Sequence, residues 1–552
     1  MPITRFLALL LPALSSLALA QDLPNHWQTD FSAAALKPPM QVDRPDPATC
    51  RVDTDARALV INTRVGDIFE HCNDCANLHY VPAPEGDFIA TLHVRHFVPE
   101  HPIQHLSLGV FQTDDKLVRL TYWWRGADRG IALDREDHAR QTSVVGTGVD
   151  FAAEPFKLRL ARTGTRLVAS YAREGADWQD LGALDWDGTP RTIGFYAANS
   201  SVASSPSTEV TISSLEIASA NSLPAEAPPL PPRPKPTLNA FDSYGWLRGL
   251  NCIPSWGARI EQAWWSYDPV AFRQEVGLVR SIHGNCVRLW IEFTAWMAAP
   301  EAVTANFMDA VKAIDESGMK VMPCLFNRWH DWSWDYGGLY NEDLIRDWAP
   351  KLDYVRAIVG PLANDPRILC WDLCNEPQAF DLATDVNQRE FAFLQAVADT
   401  ARDAGAKQPI TIGTMAGGNI ELYAPLCDVL CAHPYARSQK DLAAAIQALK
   451  DLSAKTGKPL LVNECIPGCL TDSIRAEAAR YGSQMLADAG FGWMGWSIKE
   501  GKAISTRRDR YDGNGVDGTG FHPWFTAANE LRPGLEFLRD KPTLQAPWET
   551  AK

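Results

Sequence analysis

Two short strings carry side chains suited to acid–base and nucleophilic work, Asn375-Glu376-Pro377 and Asn463-Glu464. Each glutamate closes an apolar run, Ile368 to Cys374 for the first and Leu460 to Asn463 for the second, so each falls where a strand gives way to a loop. Two carboxyl groups facing one another from separate strands suit cleavage of an acetal linkage. One protonates the leaving oxygen and the other captures or stabilises the oxocarbenium-like centre. A separation of about 5 Å lets the second attack directly and gives retention, whereas a gap above about 6.5 Å admits water and gives inversion. Like charge at short range also drives the two pKa values apart, leaving one group protonated while the other is ionised. Arg288 would hold Glu464 anionic, with the inward-pointing Asp372 as the competing partner. Glu292 and Glu500 are rival nucleophiles, although Glu500 follows Trp496 and reads better as a substrate contact.

The elements that must deliver these groups recur regularly after residue 240. Eight apolar runs read as strands: Trp246 to Cys252, Cys286 to Ile291, Val321 to Phe326, Ile368 to Cys374, Ile410 to Thr414, Val429 to His433, Leu460 to Asn463 and Gly492 to Ile498. Amphipathic stretches such as Phe307 to Ser317, Asn387 to Ala404, Leu442 to Lys455 and Asp472 to Ala489 separate them. Strand-then-helix units repeated eight times predict an α/β fold, the (β/α)₈ TIM barrel, whose chemistry sits at the strand ends. Reading only those ends brings Arg288, Asn375, Glu376, His433, Tyr435, Glu464 and Trp496 to one mouth. His433 has a plain alternative as a satisfied histidine under a loop, and Trp496 as barrel core.

The chain ahead of the barrel has another character. Residues 1–20 hold Arg5, an apolar run from Phe6 to Leu19 and the small-residue ending Ala18-Leu19-Ala20, the pattern of a secretory signal peptide. No later run reaches the roughly 18 apolar residues of a spanning helix, so an exported chain without membrane insertion is expected. Residues 21–221 alternate in short runs, among them Leu59 to Ile61, Phe88 to Val94, Leu117 to Tyr122, Phe156 to Leu160, Leu167 to Tyr171 and Val210 to Ile217, which predicts an all-β sandwich. Residues 222–237 are a linker, with seven prolines between Pro224 and Pro236. The catalytic region is then 238–552.

With 67 Asp and Glu against 52 Lys and Arg, the net charge of −15 disfavours nucleic acid and anionic surfaces as partners. The 20 Trp provide flat faces for stacking on sugar rings. Of the 12 Cys, most read as buried thiols; Cys465 and Cys469, flanking a Pro-Gly turn, are a candidate disulfide. Cys72, Cys75 and His79 form a weak zinc pattern, and Asp512 to Gly518 a glycine-rich loop lacking the spacing of a calcium site. The barrel contains no HxH or HExxH string, which counts against a metallohydrolase; no metal and no organic cofactor are expected.

ILCWDLCNEP, CAHPYA, PLLVNEC and GWMGWSIKEG, in that order over roughly residues 240–540, resemble the cellulase–mannanase group of retaining hydrolases, glycoside hydrolase family five and its clan-A relatives. The resemblance implies Glu376 as acid/base, Glu464 as nucleophile and Asn375 as donor to the sugar 2-hydroxyl. It further implies Arg288 and Tyr435 as neighbours of the nucleophile, His433 as a substrate contact and Trp496 as a stacking floor. FNRWHDWSWDYGGLYN, which contains Trp329, resembles the Trp-rich loop of β-mannanases, with extra Trp and His residues. LHYVPAPEGDFIATLHV and FKLRLARTGTRLVASYAREGADWQDLG resemble the concanavalin-like (laminin-G-like) modules that accompany glycosidases, implying a jelly roll that binds glycan or packs on its neighbour. The implied activity is retaining hydrolysis of a β-linked glycan, β-1,4-mannan or β-1,4-glucan first, with xylan or exo-action as alternatives. A non-catalytic glycan-binding protein is the reading from another class.

Overall fold

The computed structural model describes residues 23–70, 72–137, 140–200, 204–229, 233–328, 337–339, 341–415, 418–503, 506 and 521–550. The chain divides into two compact units, Met1–Pro232 and Arg233–Lys552. The expected signal segment, Trp329, Trp332, Trp334 and the Asp512–Gly518 loop lie outside the described residues.

The first unit is a β-sandwich. One sheet runs in the order Gln179–Asp185, Arg166–Arg173, Phe156–Thr163, Phe88–Phe97, Glu209–Ser219, Ala58–Asn62, Cys50–Asp53, with Asn25–Thr29 also paired to Glu209–Ser219. The other runs Arg140–Gly148, Arg129–Asp137, Lys116–Trp124, His105–Thr113, Thr192–Ala198, Leu78–Pro82, Gln41–Asp43. Alternation explains the layering: Leu158 registers with Leu92, and Leu92 with Leu215, in one apolar core that also takes Leu108, Leu120 and Phe195 from the opposite sheet. The intervening Lys157 and Arg159 turn outward, where both cations lie over the Trp178 ring. On the far side of the second sheet, Arg119 donates to the Ile68 carbonyl and to Tyr196 Oη (2.9 Å). Beside it Glu136 is buried, and burial pushes its pKa up to about 8.

The second unit is a TIM barrel, a closed ring of eight parallel strands. In order these are Arg248–Cys252, Cys286–Trp290, Lys320–Asn327, Trp371–Asn375, Ile410–Met415, Leu430–His433, Leu460–Cys465 and Gly492–Gly495. Their starts pack an apolar plug of Cys286, Met322, Cys370, Cys431, Leu461 and Met494, and their ends are polar. The surrounding helices begin where a side chain accepts the free N–H groups of a first turn. Asp268 caps Pro269–Ser281, Thr384 caps Asp385–Asp403, Ser438 caps Gln439–Thr456 and Thr471 caps Asp472–Asp488. Gly457 stops the third of these with φ +67°, a conformation costly to residues bearing a Cβ. Between the fifth and sixth strands the described helix is a single turn, Ile420–Tyr423, shorter than the regular alternation predicts.

All twelve cysteines are free, so the candidate Cys465–Cys469 bridge is not made. Cys465 Sγ contacts the Met494 carbonyl (3.3 Å) from inside the seventh strand, while Cys469 Sγ contacts the Pro467 carbonyl (3.4 Å) in the following loop. The zinc pattern fails for a similar reason. The His79 ring contacts the Asn77 carbonyl (2.8 Å) and Cys50 Sγ (4.0 Å), and Cys75 Sγ turns to the Ala76 carbonyl (3.4 Å).

Candidate active site

The polar strand ends converge on one buried guanidinium. Arg288, on the second strand, uses its donors on four partners from three other strands, the first, fourth and seventh: Nε to Asp372 Oδ2 (2.8 Å), Nη1 to Asn251 Oδ1 (2.9 Å) and to Glu464 Oε1, and Nη2 to Asn375 Oδ1 (2.9 Å). Arg288 and Asp372 are wholly buried. A charge removed from water is tolerated only when paired and hydrogen-bonded. Burial would weaken the guanidinium's hold on its proton, but Asp372 and then Glu464 outweigh it and hold the pKa above its ordinary value. The two candidate partners of Arg288 are thus bound together.

Glu464 lies within the seventh strand, one residue before its end. Its second oxygen accepts from Tyr435 Oη at 2.7 Å, so the Glu464 carboxylate is gripped on both sides. Glu376 follows the fourth strand directly and takes a left-handed φ of +46°, a conformation unusual for a residue with a side chain. Its Oε1 lies 2.7 Å from His433 Nδ1, and the opposite ring nitrogen lies 2.7 Å from Asn463 Oδ1. Burial lowers the His433 pKa, but the Glu464 and Glu376 carboxylates together overcome this and raise it above the ordinary value. One ligand atom from each of Glu376, His433 and Glu464 lies within 4.8 Å of the others. A divalent cation could span that spacing, but the buried Arg288 cation against Glu464 opposes a second positive charge there. The arrangement sets one carboxyl group beside a fixed cation and the other against an imidazole.

Residues 261–502 match the cellulase family, glycosyl hydrolase family 5. The barrel therefore carries a family 5 domain. A probable mannan endo-1,4-beta-mannosidase C of Aspergillus terreus (strain NIH 2624 / FGSC A1156) is 27% identical over 140 residues, 24% of this chain and 34% of that protein. The chain thus spans about a third of the length of the curated relative it matches. Among solved structures, the exo-beta-1,4-mannosidase Op5Man5 from Opitutaceae bacterium strain TAV5 is 18% identical with a TM-score of 0.41, over 53% of this chain and 58% of that one. The hyperthermostable endo-1,4-beta-D-mannanase of Thermotoga petrophila RKU-1 is 16% identical with a TM-score of 0.38, over 49% of this chain and 93% of that one.

Within the family 5 domain the remaining sequence-predicted residues separate. Asn375 ends the fourth strand with Nδ2 on Asn327 Oδ1 (3.0 Å), which leaves one of its two N–H bonds unassigned. Trp496 lies one residue beyond the eighth strand, not on it, with its ring edge-on to Trp290 at 5.1 Å. Glu500 accepts from Arg532 on Oε2 (3.1 Å), and Arg532 also binds Asp472 (2.9 Å). Glu292, the other rival nucleophile, caps helix Phe293–Ala298 by accepting from Phe293 N (3.2 Å). Burial, reinforced by Glu261, raises its pKa well above the ordinary carboxyl value. Three polar residues of this network were not singled out as site candidates from sequence. They are Asn251, whose Nδ2 ties Asn463 O (2.7 Å) to Gly495 O (3.3 Å), then Asn327, and Asn463 itself. Asparagines inside apolar strands were the available signal, since a barrel interior admits an amide only where partners await it.

Proposed function

We propose that the barrel hydrolyses a β-linked glycan with net retention, Glu376 acting as acid/base and Glu464 as nucleophile. The supporting observation is the approach of the two carboxyl groups. An oxygen of each lies within 4.8 Å of the other across the strand-four and strand-seven ends, a spacing that suits direct attack rather than an intervening water. Arg288 and Tyr435 aim Glu464 at the anomeric carbon, and the proton on Glu376 goes to the departing oxygen as the glycosidic bond breaks. Water then enters, Glu376 takes its proton, and the glycosyl–Glu464 ester is displaced. The family match and the mannan-active relative support β-1,4-mannan or β-1,4-glucan as substrate. Export directed by residues 1–20 and a concanavalin-like character for the sandwich belong to the same proposal.

Reducing-sugar release from a panel of purified β-mannans, β-glucans and xylans identifies the substrate class. Replacing Glu464 by Gly and adding azide then tests the mechanism: rescued turnover with an α-glycosyl azide product is expected. Unchanged activity without azide would remove Glu464 from the reaction. Absence of hydrolysis across the panel would favour the glycan-binding reading instead.

A further inference from the structure

We infer that Asn463 is a positioning residue for the acid/base: it fixes which nitrogen of His433 carries a permanent proton, and so makes the His433–Glu376 contact a one-proton pair. The inference rests on the assignment of Glu376 above and starts from Asp372. Asp372 receives Arg288 Nε (2.8 Å) and Asn463 Nδ2 (2.9 Å) on Oδ2, and Gly413 N (3.0 Å) on Oδ1. A wholly buried carboxylate beside a guanidinium is an acceptor only. The Asn463 atom facing it must be the NH₂ group, and the amide cannot be flipped without setting oxygen against oxygen. The Asn463 carbonyl oxygen is then the atom 2.7 Å from His433 Nε2. An amide oxygen accepts only, so Nε2 carries a hydrogen throughout.

Nδ1 is left as the single exchanging site. It lies 2.7 Å from Glu376 Oε1 and 3.7 Å from Glu464 Oε2, and these two carboxyls, Arg288, and Asp372 one step beyond Asn463 are the charged groups around the ring. One proton occupies the Nδ1–Oε1 contact, on the acid as Glu376–OH or on the ring as imidazolium. When it leaves with the glycosidic oxygen, both partners are empty, and the attacking water returns it. Without Asn463 the ring can adopt the other neutral tautomer, with hydrogen on Nδ1. That form donates to the Glu376 carboxylate and stabilises the ionised state, which is the wrong state for an acid.

The first test needs no turnover. In full-length protein labelled with ¹⁵N-histidine, the His433 resonance, assigned by its loss in His433→Gln, should show Nε2 protonated across the folded pH range. Asn463→Ala should move protonation to Nδ1. Asn463→Asp should restore Nε2–H, because its carboxyl can accept from the ring. A wild-type signal with hydrogen on Nδ1 and not Nε2, or one unmoved by Asn463→Ala, overturns the inference. The second test compares aryl β-cellobiosides and β-mannobiosides, using whichever glycone the wild type cleaves. Asn463→Ala should lower kcat/KM at least about tenfold with a phenol leaving group, which needs the acid, and less than about threefold with 2,4-dinitrophenol, which does not. Equal losses on both would mean general distortion and overturn the positioning role. A wild type inert on every such glycoside would instead count against the acid/base reading, with the tautomer measurement still standing.

Discussion

Arg288→Lys keeps the charge and removes the fork, which makes it the sharpest probe of the barrel's polar interior. The guanidinium has five N–H bonds, and the contacts to Asp372, Asn251, Glu464 and Asn375 engage them in a plane, with Cys324 Sγ at 3.5 Å from Nη2 as an additional neighbour. An ammonium group offers three donors from one point, so at least one of the four partners loses its hydrogen bond and a second is badly aligned. A buried acceptor left unsatisfied costs about 1–3 kcal/mol, so two give a loss of about 2–6 kcal/mol in barrel stability. Activity should fall further than occupancy of the folded state explains, at least about a hundredfold in kcat/KM, because Glu464 and Asn375 lose the group that aims them. Urea unfolding of the full chain, followed by tryptophan fluorescence and by loss of hydrolysis, measures both effects, the second reporting on the barrel alone. Arg288→Met is the reference and should lose at least about 3–5 kcal/mol, since Asp372 and Glu464 are then buried without a counter-charge. A Lys variant within about 1 kcal/mol and tenfold of wild type would refute the argument that fork geometry, and not charge alone, holds the site together.

Three further outcomes follow from neighbouring contacts. In Gly413→Ala the new methyl would stand 2.7 Å from His433 Nε2 and 3.1 Å from Arg288 Nη2, so kcat/KM should fall at least about tenfold with far-ultraviolet circular dichroism unchanged. Tyr435→Phe deletes the 2.7 Å hydrogen bond to Glu464; a bond to a charged group is worth roughly 1.5–3 kcal/mol, so steady-state kinetics should show a loss of about 10- to 100-fold. In the sandwich, Glu136 has its pKa raised to about 8 by burial, above the value of about 4.3 for an unfolded chain. Below the unfolded value both states bind the proton; between pH 4.3 and 8 the unfolded state releases it first, and wild-type stability falls by at most about 1.4 kcal/mol per pH unit. Glu136→Gln should therefore be more stable than wild type at pH 8, with the difference shrinking to nothing by pH 4; a difference independent of pH would show that Glu136 does not titrate this way.

What sequence revealed of the fold tracks the range of the forces involved. The barrel strands were readable because each is a mainly apolar run, interrupted by single polar residues such as Arg288 and Asp372, between helical stretches, a local signal. The sandwich was read from strands such as Phe156–Thr163, where Lys157 and Arg159 alternate with buried leucines. His105–Thr113 and Thr192–Ala198 escaped because Gly109 and Gly194 interrupt the apolar pattern. A Cβ on Gly109 would meet the ring of Phe111 on the same strand at 2.6 Å, whereas Gly194 answers to distant packing, since a Cβ there would meet the His79 carbonyl at 2.7 Å. Arg140–Gly148 is exposed or partly exposed along its whole length and offers no alternation to read.

The site divides in the same way. Glu376, Glu464 and His433 were legible because a titratable side chain at the end of an apolar strand has few structural reasons to be there. Their pairing was not, since it depends on which strand ends meet across the ring. Asn463 shows how far that dependence reaches. Its amide nitrogen faces Asp372 on the fourth strand, which Arg288 on the second also binds, and its oxygen faces His433 of the sixth, whose other ring nitrogen meets Glu376 beyond the fourth. No window of sequence contains that chain of contacts, yet each link admits one donor and one acceptor. If Asn463 sets the His433 tautomer, the proton at the His433–Glu376 contact depends on groups that do not touch Glu376, and substitution at Asn463, which leaves the Arg288–Glu464 and Tyr435–Glu464 contacts in place, should alter the acid more than the nucleophile.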